Sequence, residues 1–167
     1  MNSEDLKARQ RPLKQSYKEN PEKALITLRV EGNLSDGIAC KIDTGRALVE
    51  AGLHPATGGD GNQACSGDML LEALTACAGV TLRAVATNFG VEIRSGRITA
   101  EGDLDFRGTL GVDKDAPVGF RNIRLIFNID ADTDRDTMKK IISVSERYCV
   151  VLQTLRSGPG ISVSLVE

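Results

Sequence analysis

Two stretches place a thiol in apolar surroundings: EALTACAGVTL, residues 72–82, and ERYCVVLQTL, residues 146–155. A thiolate is a nucleophile towards sulfur and peroxide oxygen. Cys77 and Cys149, if brought together, could therefore run thiol–disulfide or peroxide chemistry. Kept apart, each would serve as a small core hydrophobe, because free cysteine is among the most buried residue types. Spacing along the chain gives no sulfur-to-sulfur distance, so both readings stand at this point.

The other reactive residues narrow the chemistry. The four cysteines, Cys40, Cys65, Cys77 and Cys149, form no C-x-x-C pair, and His54 is the only histidine. No structural zinc, other metal or organic cofactor is therefore expected. A Cys–His or Ser–His nucleophile would need His54 to fold back onto it. The glycine-rich GGDGN, residues 58–62, lacks a following Gly-Lys-Ser/Thr and reads as a loop leading into a helix, not as a phosphate cradle. Cys65 reads as an incidental loop residue, although a helix N-terminus beside it would lower its pKa. Cys40 reads as packing in a strand.

Bulk properties exclude whole classes of partner. Acids and bases are interspersed along 167 residues with a net charge of −2, which leaves no basic stripe of the kind nucleic acids require. No apolar run is expected to reach membrane-spanning length. The polar N-terminus MNSEDLKARQRPLKQSYKENPEK lacks the apolar middle of a signal peptide. The expectation is a cytoplasmic protein without nucleic-acid or membrane partners, whose cysteines form no static disulfide framework.

The elements that must position the thiols follow from periodicity. Residues 1–22 read as a polar, partly helical arm and residues 23–167 as the folded domain. ALITLRV (24–30) and GIACKI (37–42) form a hairpin across a Ser-Asp-Gly turn, and residues 47–50 add a short third strand. Ser66 to Asn88 is a helix with Ser66 as N-cap, Asp68 at the positive end of its dipole and Gly90 just past its C-terminus. Its predicted inward stripe is Leu70, Leu74, Cys77, Thr81 and Val85. Residues 91–106 are a long strand or a bent pair broken at Gly96 or Gly102. Residues 121–130 alternate, with Ile123, Leu125, Phe127 and Ile129 on one face. Asp132 or Thr133 caps a second helix, which carries Met138, Ile141, Ile142, Ser145, Tyr148, Cys149 and Leu152 inward and stops at SGPG (157–160). ISVSLV (161–166) forms a last strand. Strands, helix, strands, helix, strand in this order give an α+β fold with antiparallel sheets and two central helices.

LLEALTACAGVTLRAVATNFGVEI resembles the central-helix signature of the OsmC/Ohr family, the osmotically induced and organic hydroperoxide resistance proteins. CVVLQTL, Cys149 to Leu155, is similar to that family's second cysteine motif on a later helix. The resemblance spans about residues 24–167. It implies an intertwined homodimer with its sites at the dimer interface. It also implies that Cys77 is the peroxidatic nucleophile, Cys149 the resolving thiol, an organic hydroperoxide the substrate and a dithiol or lipoyl-type group the reductant. An activating arginine from the early segment and a carboxylate at the start of the central helix complete the implied site.

The chain departs from the pattern at three points. GNLSDGIAC replaces an arginine-bearing turn, so Arg46 is the expected activator. Arg29 is passed over because strand alternation sets it opposite Leu28 and Val30. CSGD replaces the usual lead-in to the central helix and leaves Asp68 as the carboxylate, with a helix-dipole role as the other reading. Val150 stands in place of proline, which is expected to remove a rigid turn at Cys149. Glu72 replaces a usual alanine. A non-catalytic, ligand-binding or redox-sensing protein of the same fold is the alternative function.

Overall fold

The computed structural model describes residues 3–35, 39–42, 51–62 and 64–165. Helix α1 (Ser3–Glu19) leads through a 3-10 turn at Pro21–Ala24 into β1 (Leu25–Ser35). Tyr17 of α1 is buried and donates its hydroxyl to the Ala56 carbonyl at 2.8 Å, which seats this charged helix on a second 3-10 turn at Pro55–Thr57. β1 turns back into β2 (Ala39–Ile42) as an antiparallel pair with Leu34 opposite Cys40. The short third strand expected at residues 47–50 lies outside the described residues. A two-residue parallel pair follows, β3 (Ala51–Gly52) against β4 (Ala64–Cys65).

Helix α2 (Ser66–Asn88) then crosses to β5 (Ile93–Asp105), a short helix α3 (Phe106–Thr109) and β6 (Phe120–Ala131). The main sheet has the order β2-β1-β5-β6 and every pairing in it is antiparallel. β5 is one strand, irregular near Ile93 and Leu104 and continuous through Gly96 and Gly102. Ile98, Ala100 and Leu104 are buried, and Ile123, Leu125, Phe127 and Ile129 of β6 pack beside them as the alternation predicts. Gly102 has no side chain because Phe120 needs the space: a Cβ there would stand 2.4 Å from the Phe120 ring.

Helix α2 is the core helix, packed on β1 and β5. Its inward face differs from the predicted stripe. Leu71, Leu74, Ala78, Leu82 and Val85 are buried, while Leu70 is 37% exposed and Cys77 and Thr81 are half-buried. The helix is apolar on most of its circumference, so periodicity marks no single face. Cys65, not Ser66, occupies the N-cap, and it makes no side-chain capping bond. At the other end Gly90 adopts φ 68°, and the Gly90 and Val91 amides take up the Thr87 and Ala86 carbonyls, the expected C-terminal stop. α2 is also long and apolar enough, by length and composition, to cross a membrane, contrary to the expectation that no run reaches that length. Alanine, glycine and threonine dilute its leucines to the eye, yet an 18-residue window within it keeps a mean hydropathy of 1.5.

The second helical segment is two helices, not one: α4 (Arg135–Tyr148) and α5 (Val150–Ser157), divided at Cys149. Asp134, not Asp132 or Thr133, caps α4 by accepting from the Asp136 and Thr137 amides at 2.9 Å each. The expected last strand is absent among the described residues. Positions 158–165 form no sheet pairing, and Ile161, Val163 and Leu165 are almost fully exposed.

Candidate functional site: a thiol pair at a helix break

Cys77 lies midway along α2, on the border between two faces. Behind it is the buried row that packs on the sheet. Beside it is an outer apolar row, Met69, Leu70 and Val80, each 37–40% exposed. Ala73, one turn before Cys77 on the same face, keeps the helix surface low there, so another element can approach the sulfur closely. α4 and α5 make that approach, both packing against α2. They bring Cys149, 1% exposed, beside Cys77.

The break at Cys149 survives although Val150 stands where a proline would enforce it. Cys149 still donates its amide to the Ser145 carbonyl at 2.9 Å, as a helical residue does, but its ψ of 104° is extended and ends α4. Its own carbonyl accepts from the Gln153 amide at 2.9 Å and so starts α5. The Glu146 carbonyl left behind accepts the Gln153 side-chain amide at 2.8 Å, and the Glu146 carboxylate pairs with Arg156 at 3.1 Å. Side chains therefore do what a proline ring would otherwise do.

The first amides of a helix have no partner within it. In α5 those of Val150 and Val151 lie near Cys77, and so does the Thr81 hydroxyl one turn along α2. Burial pushes the Cys77 thiol up, but the Val151 amide, the Cys149 thiol, Thr81 and the Val150 amide together outweigh it and leave Cys77 below its usual range. Cys149 goes the other way. Burial, then the Cys77 sulfur beside it, push it up to about 11, against the opposing Leu152 and Val151 amides. One thiol of the pair is poised to ionise and its neighbour to keep its proton.

The remaining predicted residues fall elsewhere. Asp68 is half-buried in the first turn of α2, nine positions before Cys77. At 100° per residue this sets it on the opposite side of the helix, about two and a half turns away. Burial pushes its carboxyl up, and the facing His54 pulls it back down. His54 stacks on Phe106 with ring centroids 4.9 Å apart and accepts the Ala56 amide on Nδ1 at 3.0 Å, so it supports the loop. Glu72, one turn on, is pushed up by burial and by Asp68. Cys65 is half-buried at the N-cap. Arg46 lies outside the described residues, as does the Arg29 side chain. Among the described residues no three His, Cys, Asp or Glu side chains converge as metal ligands.

Sequence reasoning missed the helix break with its two amides, and it placed Thr81 only as packing. Pro-free breaks leave little trace in sequence. The one available signal was Gln153, a residue able to take an orphaned carbonyl four positions past the cysteine. A groove of about 370 Å³ runs between Leu125 and Phe127 of β6 and Leu152 and Leu155 of α5, with Arg121, Glu146 and Arg156 also lining it and neither Cys77 nor Cys149 among its lining residues.

An apolar core helix laid on an antiparallel sheet, with one thiol on that helix and a second at a break in the helical segment packed against it, defines a paired-thiol α+β protein. The sequence matches the family described as OsmC-like protein over residues 59–164, and the chain belongs to that family. A solved structure of similar fold is an OsmC-like hydroperoxide resistance protein from Jannaschia sp. CCS1. Its TM-score is 0.65 at 14% identity, covering 86% of this chain and 95% of that one. No curated protein matches the chain in sequence.

Proposed function

We propose that the protein is a thiol peroxidase for organic hydroperoxides, with Cys77 as nucleophile and Cys149 as resolving thiol. The observation that carries this reading is that the helical segment packed on α2 sets Cys149 beside Cys77, with the start of α5 next to the pair. The Jannaschia neighbour is a hydroperoxide resistance protein, which supports the substrate class.

In the first step the Cys77 thiolate attacks one oxygen of the O–O bond. The S–O bond forms, the O–O bond breaks, and the alkoxide leaves and takes up a proton to become the alcohol. Sulfur is oxidised by two electrons to sulfenic acid and the peroxide is reduced. Cys149 then attacks the sulfenic sulfur and hydroxide departs as water with the Cys149 proton, leaving a Cys77–Cys149 disulfide. A dithiol, lipoyl-type or otherwise, restores the pair by two exchange steps and is itself oxidised to a disulfide.

The working unit in this proposal is a cytoplasmic homodimer. The outer row of α2 and the apolar tail at Ile161, Val163 and Leu165 are surface that a single chain leaves uncovered, and a second copy supplies matching surface.

The test is turnover of cumene or tert-butyl hydroperoxide with a dithiol. Wild type should consume peroxide, and Cys77→Ser should abolish consumption. Turnover unchanged in Cys77→Ser would make Cys77 a packing residue. A protein that forms the disulfide reversibly yet never turns over would be a redox sensor of the same fold.

A further inference from the structure

His54 is the only histidine in the chain, and it caps the Pro55–Thr57 turn. Its Nδ1 accepts the Ala56 amide at 3.0 Å, and its ring stacks on Phe106 of α3 with centroids 4.9 Å apart. A ring nitrogen that accepts carries no proton, so this geometry requires the neutral imidazole with its proton on Nε2. The His54 carbonyl gathers the rest of the turn. It takes the Thr57 amide at 2.8 Å, the Thr57 hydroxyl at 2.9 Å and the Gly59 amide at 3.1 Å.

That turn is the seat of α1. Ala56, whose amide meets His54, offers its carbonyl to the buried Tyr17 hydroxyl at 2.8 Å. The next carbonyl, that of Thr57, accepts the Gln10 side-chain amide at 3.1 Å. Gly58, at φ 94°, brings the backbone so close that a Cβ there would stand 3.2 Å from the Arg9 Cβ. α1 also packs on α3 and on the Pro21–Ala24 turn. With Pro12 in their interior, its 17 residues would not hold a helix alone in water, so α1 depends on these supports.

We propose that protonation of His54 loosens α1, which makes the Pro55–Thr57 turn an acid-sensitive latch on the N-terminal helix. The imidazolium carries a proton on both nitrogens. Its Nδ1–H then opposes the Ala56 N–H, donor against donor, and one of the two must turn away. Moving Ala56 also moves the carbonyl that Tyr17 holds. The three donors on the His54 carbonyl remain, so the turn shifts and does not unfold. Among the described residues Asp68 of α2 is the charged group that acts on the ring, and it favours the imidazolium. Burial opposes it and is the larger effect, which sets the folded ring below its ordinary 6.5. Other titratable groups on the surrounding elements have their own partners. Glu72 acts on Asp68, Arg107 of α3 is held by Asp105 and Asp113, Tyr17 by Ala56, and the Arg9 charge reaches Asp60. A base whose docked pKa is lowered takes up its proton more readily once undocked. Docking is therefore at full strength above 6.5 and weakens as pH falls through that value towards the docked pKa. The latch is separate from the thiol pair and stands whether or not the protein turns over peroxide.

The experiment is hydrogen–deuterium exchange of the full-length protein at pH 7.5 and pH 5, each normalised to the unfolded chain at the same pH. In wild type the protection of α1 should fall about fivefold at pH 5, the worth of one capping bond, while α2 keeps its protection. His54→Asn keeps an acceptor at the cap but does not titrate, so its α1 should be equally protected at both pH values. Tyr17→Phe should lower α1 protection at pH 7.5, because the Ala56 carbonyl then holds nothing. Should His54→Asn fail to fold, judged by its circular dichroism, the ring itself decides. The NMR titration of the sole histidine must then share its midpoint with the loss of α1 protection. No loss in wild type, an equal loss in His54→Asn, separate midpoints, or a Tyr17→Phe protein protected like wild type overturns the proposal. A loss spread equally over α2 is acid unfolding of the whole fold and overturns it as well.

Discussion

The side-chain amide of Gln153 lies 2.8 Å from the carbonyl of Glu146 and spans the two helices on either side of Cys149. It is the bond that lets a proline-free segment hold a bend. Gln153→Leu leaves that carbonyl without its partner, at a cost of about 1 kcal/mol for a half-buried acceptor. Urea unfolding should report that loss. The alkylation midpoint of Cys77 should rise as well, because the start of α5 is no longer held next to the pair. A stability loss with no change in the midpoint would mean that Gln153 holds the helices without setting α5 beside Cys77.

Cys149→Ser separates attack from resolution. The variant should complete one turnover per site and stop, with Cys77 left as sulfenic acid and then, under excess peroxide, carrying two added oxygens as sulfinic acid. Intact mass after peroxide exposure reads this directly. Undiminished multiple turnover with a dithiol would show that the reductant, and not Cys149, resolves the intermediate.

The pair also sets a pH dependence of stability. Burial first, and Cys77 next, raise the Cys149 thiol from 9.0 to about 11. An acid whose folded pKa is raised keeps its proton when the unfolded chain has already released it. The unfolded state then binds fewer protons, and stability falls as pH climbs between about 9 and 11. Below that window the contribution is fully present. Urea midpoints at pH 8 and pH 10.5 should show a steeper decline for wild type than for Cys149→Ala, and parallel slopes would contradict the assignment.

Gly102 meets the Phe120 ring where any Cβ would stand, 2.4 Å from it. Gly102→Ala forces that ring off its seat beside the groove and should cost about 1–3 kcal/mol by overpacking. A thermal melt within a degree of wild type would show that the ring moves aside freely.

Val80 belongs to the uncovered outer row of α2 and makes no contribution to the buried core. Val80→Asp should therefore leave circular dichroism intact while halving the mass seen by light scattering. A wild-type protein that is already monomeric at micromolar concentration would remove the proposed dimer.

Much of the frame was legible in the sequence. The bounds of α2, the alternation of β6 and the glycine that stops α2 followed from local patterns, which act over a turn or a strand and need no tertiary context. The inward face of α2 did not, because a helix apolar nearly all round has no phase to read until its neighbours are known. The break at Cys149 was hidden for a different reason: proline announces a break locally, whereas here a side chain four residues on makes it. ISVSLV alternates as a strand should, yet alternation describes a strand only when an edge is there to receive it, and no such edge meets residues 158–165 in the single chain. The two cysteines were found as residues, and the amides that act on one of them were not, since backbone groups are the same in every sequence.

The pairing of β1 with β5, Leu25 opposite Asp105, has a consequence for how the chain is made. The two strands enclose the whole of α2 between them in sequence, so the sheet that covers this helix cannot close until some eighty later residues have emerged. Loop closure over such a separation is slow compared with helix formation, which runs at about a microsecond or less. During synthesis α2 thus exists before its shelter does, as a bare apolar rod with a reactive thiol at its middle. Chaperone engagement of the nascent chain, and premature oxidation of Cys77, should both be concentrated in the interval before β5 leaves the ribosome.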